Sequence, residues 1–517
     1  MVSLLVKEKL YINEVVLGTG FGVLMGPHVA NVFDPRSWTS DTNALTLEIM
    51  RIVLATGLFA IGVELPQSYM AKTAKSLLVM VVPTMAFGWV ISAAFIHLLF
   101  PNLGFIAGLA ISACLTPTDP IICAAIVGGK FAVKHVPLNL RRLLAAESAS
   151  NDGLAYPFLS ISIYLMTEPS RRTAIEKWFI VGWLYEVLLG IILGGALGYG
   201  FSQLMKLTHR KGFIDRESYV AQYLALAIFT IGVTSTLGSD DLLAAFAAGT
   251  AISWDGHFNM QVENEVFSSV VDLLLNCACF IYIGAWLPFN QFNSPEIGIT
   301  PWRLVLFSVP ILVLRRIPSM LLLYKWIPEI RSWREALFSG HFGAQSLVRM
   351  GVGAIFISTL ATVRLENSDT EGEPDKQLLT KCIQPIVAFV VLCSIIVHGC
   401  SIPFFSIGRG IGSRTVSLSR TLTARSGDTP DWLLWAHRSG GPSPADVEHG
   451  TGKSPEDNMS AHHVSSHYPV LGEAIMLADP TNTMTRRVSC KPAEDHQVRG
   501  LRYSMISRTY LKANFGV

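Results

Sequence analysis

Residues 111–127 read ISACLTPTDPIICAAIV. The run is apolar enough to sit in a membrane, yet it holds Pro117, Pro120 and the carboxylate Asp119. Each proline lacks a backbone N–H and crowds the carbonyl one turn back, so a helix here must break between Thr116 and Pro120. Broken backbone at membrane depth survives only where protein buries it or it lines a wet cavity. A carboxylate placed at such a break is expensive and is therefore a functional candidate. A proline kink capped by a carboxylate is the plainer reading, but Ser or Asn would cap at lower desolvation cost.

The next apolar run, 141–165, reads RRLLAAESASNDGLAYPFLSISIYL. Glu147, Ser148, Asn151 and Asp152 crowd into two helical turns. Ser148 and Asp152 are four apart and share a face, while Asn151 stacks over Glu147 on a neighbouring face. One face thus offers a cation a hydroxyl and a carboxylate. Pro157 predicts a further kink. Elsewhere Asp272 precedes Asn276 by one helical turn in an apolar run, and Arg315 and Arg316 fall within VPILVLRRIPSMLLLY. An unpaired guanidinium there would be prohibitive, so a carboxylate partner is required, and Glu147 is the natural one. The two arginines diverge by about 100° around a helix, so one of them faces it. Asp240 and Asp241 lie between runs, where a solvated loop, a helix N-terminus or a funnel attracting cations accounts for them equally.

The whole chain supports a membrane setting. Of 517 residues, 15% are charged and 50% hydrophobic, and mean hydropathy is +0.43, against about 25% charged in an ordinary soluble domain. A formal charge of +2 leaves no basic excess for nucleic acid. Apolar runs recur at 13–33, 45–66, 76–100, 103–127, 143–167, 178–206, 219–237, 242–255, 268–288, 302–327, 335–361 and 380–407, predicting an all-α polytopic membrane protein of about twelve transmembrane helices. Lys and Arg are concentrated in alternate connections, among them Lys72, Lys75, Arg141, Arg142, Lys206, Arg210 and Arg331. That side, with the C-terminal tail, is assigned to the cytoplasm. Residues 1–407 are expected to form the transmembrane domain. From 408 to 517 the chain turns rich in Ser, Thr, Pro, Gly and His without an apolar period, which predicts a largely disordered cytoplasmic tail. Basic-serine patterns such as Arg414–Ser417 suggest kinases or regulatory proteins as its partners. The eight cysteines complete no metal or disulfide pattern. The opening MVSLLVKEKLYINE reads as the last turn of a helix whose beginning is missing.

With KEKLYINE, LEIMRIVLATGLFAIGVELP, the TDP break, LLAAESASNDG, IDRESY, DDLLAAFAAGTAISWDG, DLLLNCACFIYIGAWLPF, LRRIP and SWREALFSGHFG in order, the chain resembles the fungal plasma-membrane Na⁺(K⁺)/H⁺ antiporters of the monovalent cation–proton antiporter superfamily. The resemblance implies a homodimeric, elevator-like exchanger of about thirteen helices, built on inverted repeats with two crossed unwound helices. It would export Na⁺, Li⁺ or K⁺ against H⁺ across the plasma membrane, with no enzymatic activity and no cofactor beyond the proton gradient. It makes Asp152 the carboxylate that binds cation or proton. Asp119, Thr118 and Ser148 would supply or organise oxygens, Asn151 would stiffen the site, and Glu147 would pair with Arg316 or Arg315.

One block departs from the family pattern. Where GHFGP usually runs straight into GVGAIF, this chain reads GHFGAQSLVRMGVGAIF, inserting Ala344 to Arg349. An inactive or regulatory variant is the alternative that this departure and the missing first helix raise. An intramembrane aspartyl protease is a more distant rival, since it needs two carboxylates sharing a proton in glycine-flanked settings that Asp119 and Asp152 lack.

Overall fold

The computed structural model describes residues 14–118, 136–213, 216–262, 267–341, 351–368 and 374–397. The tail, Asp119, the expected return half of the first unwound helix, and residues 342–350 within the second, including the insertion at 344–349, lie outside these residues. Every regular element described is helical. In chain order they are α1 (Glu14–Met25), α2 (Thr42–Glu64), α3 (Tyr69–Leu99), α4 (Phe105–Cys114), α5 (Leu138–Gly153) and α6 (Ala155–Thr167). Then come α7 (Arg171–Arg210), α8 (Arg216–Thr236), α9 (Asp241–Ile252), α10 (His257–Val262), α11 (Phe267–Trp286), α12 (Pro301–Leu314), α13 (Ile317–Leu323), α14 (Trp333–His341) and α15 (Val352–Glu366). The last described is α16 (Pro374–Val397).

Apart from the short α10, which lies between two predicted runs, these helices overlap the predicted apolar runs, and several of the runs are broken in two. Among the described helices, α2, α3, α7 and α16 are each long and apolar enough to cross a bilayer unaided. The breaks have a common cause. Pro157 cannot donate to the Gly153 carbonyl, and α5 stops at Gly153. Pro318 cannot donate to Leu314, and α12 stops at Leu314. In each case the missing i→i−4 bond falls where the helix ends, leaving Asp152 and Arg315–Arg316 beside an interruption. The kink expected at Pro157 thus appears three residues earlier, at Leu154.

The bundle closes around α9, which packs between α7 and α2. Close approach is made possible by glycine. A Cβ on Gly194 or Gly198 of α7 would collide with the carbonyls of Ala244 and Ala248, and one on Gly249 with the carbonyl of Phe59. Small residues at four-residue spacing let backbones touch where lipid supplies no hydrophobic drive for association. The same device joins α1 to α11 through Gly22 and Gly284. On the far face of α7, Phe179, Ile180, Leu184, Leu188 and Ile192 are exposed, which suits a surface facing acyl chains.

Candidate functional site

In the C-terminal two turns of α5, the side chains of Glu147, Ser148, Asn151 and Asp152 all have zero exposure, and they divide three tasks among them. Thr118 follows the end of α4, and its backbone groups have no partners in a continuing helix. The Asn151 amide supplies them: its Oδ1 accepts from the Thr118 N–H at 3.0 Å, and its Nδ2 donates to Thr118 Oγ1 at 2.7 Å. Ser148 Oγ donates to the Thr118 carbonyl at 3.0 Å and accepts from Thr118 Oγ1 at 3.0 Å. Because the Thr118 N–H must face an oxygen, the amide orientation of Asn151 is settled by the geometry. Ser148 therefore works with Asn151, three residues on, rather than with Asp152 as its four-residue spacing suggested; both spacings bring side chains together on a helix.

Asp152 points elsewhere. It meets the N-terminal turn of α15, where a Cβ on Gly353 would lie 3.2 Å from Asp152 Oδ1 and 3.3 Å from Pro117 Cβ. The glycine lets helix backbone and proline ring close on the carboxylate. Helix N-termini carry partial positive charge, which favours an anion there. The end of α4, the end of α5 and the start of α15 thus converge on one buried carboxylate.

Glu147 lies on the opposite side and is held by Arg316. Nη2 donates to Oε2 at 2.7 Å, Nη1 bonds Oε1, and neither side chain has any exposure. This two-point geometry is the strong form of the pair. Arg315 does not share it. Its Nη2 donates to the Thr116 carbonyl at 2.5 Å, the group that an unbroken helix would offer to residue 120, a proline. A guanidinium thus occupies the acceptor vacated at the break and places positive charge at the C-terminal end of α4, where a helix presents negative partial charge.

Asp240 and Asp241 are not in a solvated loop. They begin α9 with 0% and 1% exposure. Asp240 Oδ1 caps the helix by accepting from the Leu243 N–H at 2.9 Å. Asp241 accepts from the Tyr156 hydroxyl at 2.9 Å and pairs with Arg51 Nε at 2.5 Å. Asp272 is on α11, away from the residues of this junction in sequence, and its side chain lies outside the described set.

A further cluster was not singled out from the sequence. Arg364 Nη2 donates to Glu186 Oε1 at 2.8 Å and its Nη1 to Ser160 Oγ at 3.1 Å, while Ser160 donates to Glu186 Oε2 at 3.0 Å. Glu186 sits in WFIVGWLYEVL. A lone ionisable residue in an apolar run is the same signal that marked Asp119.

An apolar helical bundle in which interrupted helices converge on a buried carboxylate is the architecture of an ion-coupled secondary transporter. The chain belongs to the transmembrane sodium/hydrogen exchanger family, whose pattern it matches over residues 1–408. That family is one of transporters and not of enzymes. Over 429 residues the chain is 44% identical to a probable Na⁺/H⁺ antiporter of Schizosaccharomyces pombe, covering 81% of this chain and 56% of the relative. Over 438 residues it is 44% identical to a Na⁺/H⁺ antiporter of Saccharomyces cerevisiae, covering 82% of this chain and 44% of the relative. The chain thus spans about half the length of these curated relatives. Its fold is similar to that of the sodium proton antiporter MjNhaP1 of Methanocaldococcus jannaschii, with a TM-score of 0.57 and 18% identity, covering 76% of this chain and 94% of that one.

Proposed function

We propose that the chain is a secondary active antiporter that moves Na⁺, with Li⁺ and K⁺ as further cargo, in exchange for H⁺ across the plasma membrane, its C-terminal tail in the cytoplasm. The observation that carries this reading is the fully buried Asp152 carboxylate at the junction of α4, α5 and α15. The relatives' names as Na⁺/H⁺ antiporters point the same way.

The mechanism is competition for one carboxylate. A cation needs several oxygens to replace its water, and the ionised Asp152, with Asp119 of the TPTDP break and backbone carbonyls at that break, would supply them. Protonation removes the charge from Asp152 and with it the cation's strongest ligand. Asn151 and Ser148 hold Thr118 so that the broken backbone keeps its shape whether the site carries cation or proton. Glu147 and Arg316 tie α5 to the α12–α13 junction, so these segments move together in an alternating-access, elevator-like cycle between two protomers. Each turnover exchanges a cation on Asp152 for a proton taken from the other side, and the proton gradient drives export.

The test is expression in a salt-sensitive host lacking its own exporters. The wild-type chain is expected to restore growth in Na⁺, and Asp152→Asn to abolish the gain at equal protein level. Unchanged tolerance with Asp152→Asn would refute the role of Asp152. No tolerance from the wild-type chain at normal protein level would favour the second reading, a non-transporting variant, which the insertion Ala344–Arg349 motivates.

A further inference from the structure

At the end of the bundle where α6 and α15 finish, the structure has a cavity of about 430 Å³. Its walls include Thr167, Glu168, Asn367 and Ser368, and its floor is the Ser160–Glu186–Arg364 cluster. Thus, polar walls lead to a charged floor within an apolar bundle. Water occupies about 30 Å³ per molecule, so the space admits a cation with part of its water shell.

Three observations distinguish this floor from an ordinary structural ion pair. First, the side chain of Glu186 is 5% exposed and that of Arg364 28%. A desolvated pair adds little net stability over apolar residues of the same size, and ionisable residues inside membrane proteins mark ion pathways. Second, Glu186 belongs to a π-helical stretch, Trp178–Leu188, a geometry that is rare and concentrated at functional sites. Third, the floor adjoins a chain of polar groups reaching the exchange site. The Arg364 guanidinium lies 5.5 Å over the Tyr156 ring, and the Tyr156 hydroxyl donates to Asp241. The main-chain carbonyl of Glu186 accepts from the Asp240 N–H at 3.1 Å. Asp240 Oδ2 is buried and accepts no hydrogen bond among the described residues, and it lies 3.0 Å from where Gly153 would carry a Cβ. Gly153 follows Asp152 directly.

We propose that this vestibule is a transit site for a monovalent cation, in which the ion competes with Arg364 for the Glu186 carboxylate on its way between solution and Asp152. Ser160 and the polar walls replace part of the ion's water while Arg364 swings off Glu186, keeping its contact with the Tyr156 ring. With Arg364 on Glu186 the floor is neutral and closed; with the cation on Glu186 the displaced guanidinium opens the way towards Asp240. The inference rests on the reading of Asp152 as the exchange site.

The test is Na⁺-dependent proton flux by the full chain in liposomes, with the half-saturating Na⁺ concentration and the maximal rate measured separately. Glu186→Gln leaves Arg364 uncompensated in the path and is expected to raise the half-saturating concentration about tenfold. Arg364→Gln removes the competitor and is expected to lower it. The double variant is expected to return near the wild-type value. A purely structural pair moves both single variants the same way, through yield or thermal stability, and unmoved half-saturation in all three overturns the proposal. If these variants fold poorly, Ser368→Cys provides a second arm. A positively charged methanethiosulfonate is expected to inhibit it and Na⁺ to protect it, relative to the unsubstituted chain treated alike; full flux after complete modification overturns the proposal. Asp152→Asn separates the two ideas. Exchange persisting in that variant refutes the underlying reading, whereas its loss together with unmoved half-saturation in the vestibule variants refutes the transit site alone.

Discussion

The Glu147–Arg316 pair gives a stability prediction with a sign that depends on which residues are changed together. Both side chains have zero exposure and meet at two points, so removing one partner leaves a charge desolvated and unmatched. Such a change costs about 3–5 kcal/mol, whereas replacing both partners by apolar residues of similar size is neutral or stabilising by about 1–4 kcal/mol. Arg316→Met should therefore lose stability towards the lower end of the range, because Arg315 still supplies positive charge next door. With an unfolding entropy near 2 cal/mol/K per residue over roughly 400 folded residues, a loss of about 3 kcal/mol lowers the apparent melting temperature by about 4 °C. Glu147→Leu should fall similarly, and Glu147→Leu with Arg316→Met should recover to within about 2 °C of wild type or exceed it. The assay is loss of monodisperse protein on heating in detergent, at one heating rate because such unfolding is irreversible. The reasoning is refuted if Arg316→Met melts with the wild type, or if the double variant shows the sum of the two single losses.

Further outcomes follow from close approaches. Gly353→Ala places a methyl 3.2 Å from Asp152 Oδ1, and it should weaken apparent Na⁺ affinity in flux assays while expression stays normal. Gly198→Leu drives a side chain into the Ala248 backbone and should cost about 1–3 kcal/mol or more by overpacking, read as early melting. By contrast Gly195→Ala, which meets nothing within 4 Å, should gain about 0.5–1 kcal/mol from the helix interior. Asn151→Ala strips the Thr118 N–H of its acceptor and should cost about 1–3 kcal/mol, with flux falling further than protein yield.

Local chemistry made much of the fold readable along the chain. Hydropathy placed the helices, and Pro157 pointed to the interruption beside Asp152, since a missing N–H acts on a carbonyl four residues away; Pro318 acts in the same way on Leu314, beside Arg316, a break that the structure revealed. The scarcity of charge in apolar runs identified Glu147, Asp152 and the two arginines as residues needing a reason to be there. The same criterion, applied to Glu186, would have found the vestibule floor. Pairing was less readable. Glu147 and Arg316 are separated by 169 positions, and Thr116 and Arg315 by 199. The choice between two adjacent arginines depends on which helix each one faces, and helical spacing alone left that choice open.

What the sequence determined by itself is a series of apolar helices, where they must break, and which buried groups cannot be left unmatched, because each of these follows from one residue and its near neighbours. Only the tertiary structure decided that Arg316 holds Glu147 while Arg315 caps the broken α4. The tertiary structure also buried Asp240 and Asp241 at a helix start and closed Gly353 onto Asp152. These outcomes rest on backbones brought into contact across the bundle, where a missing Cβ or a rotation of one residue changes the partner.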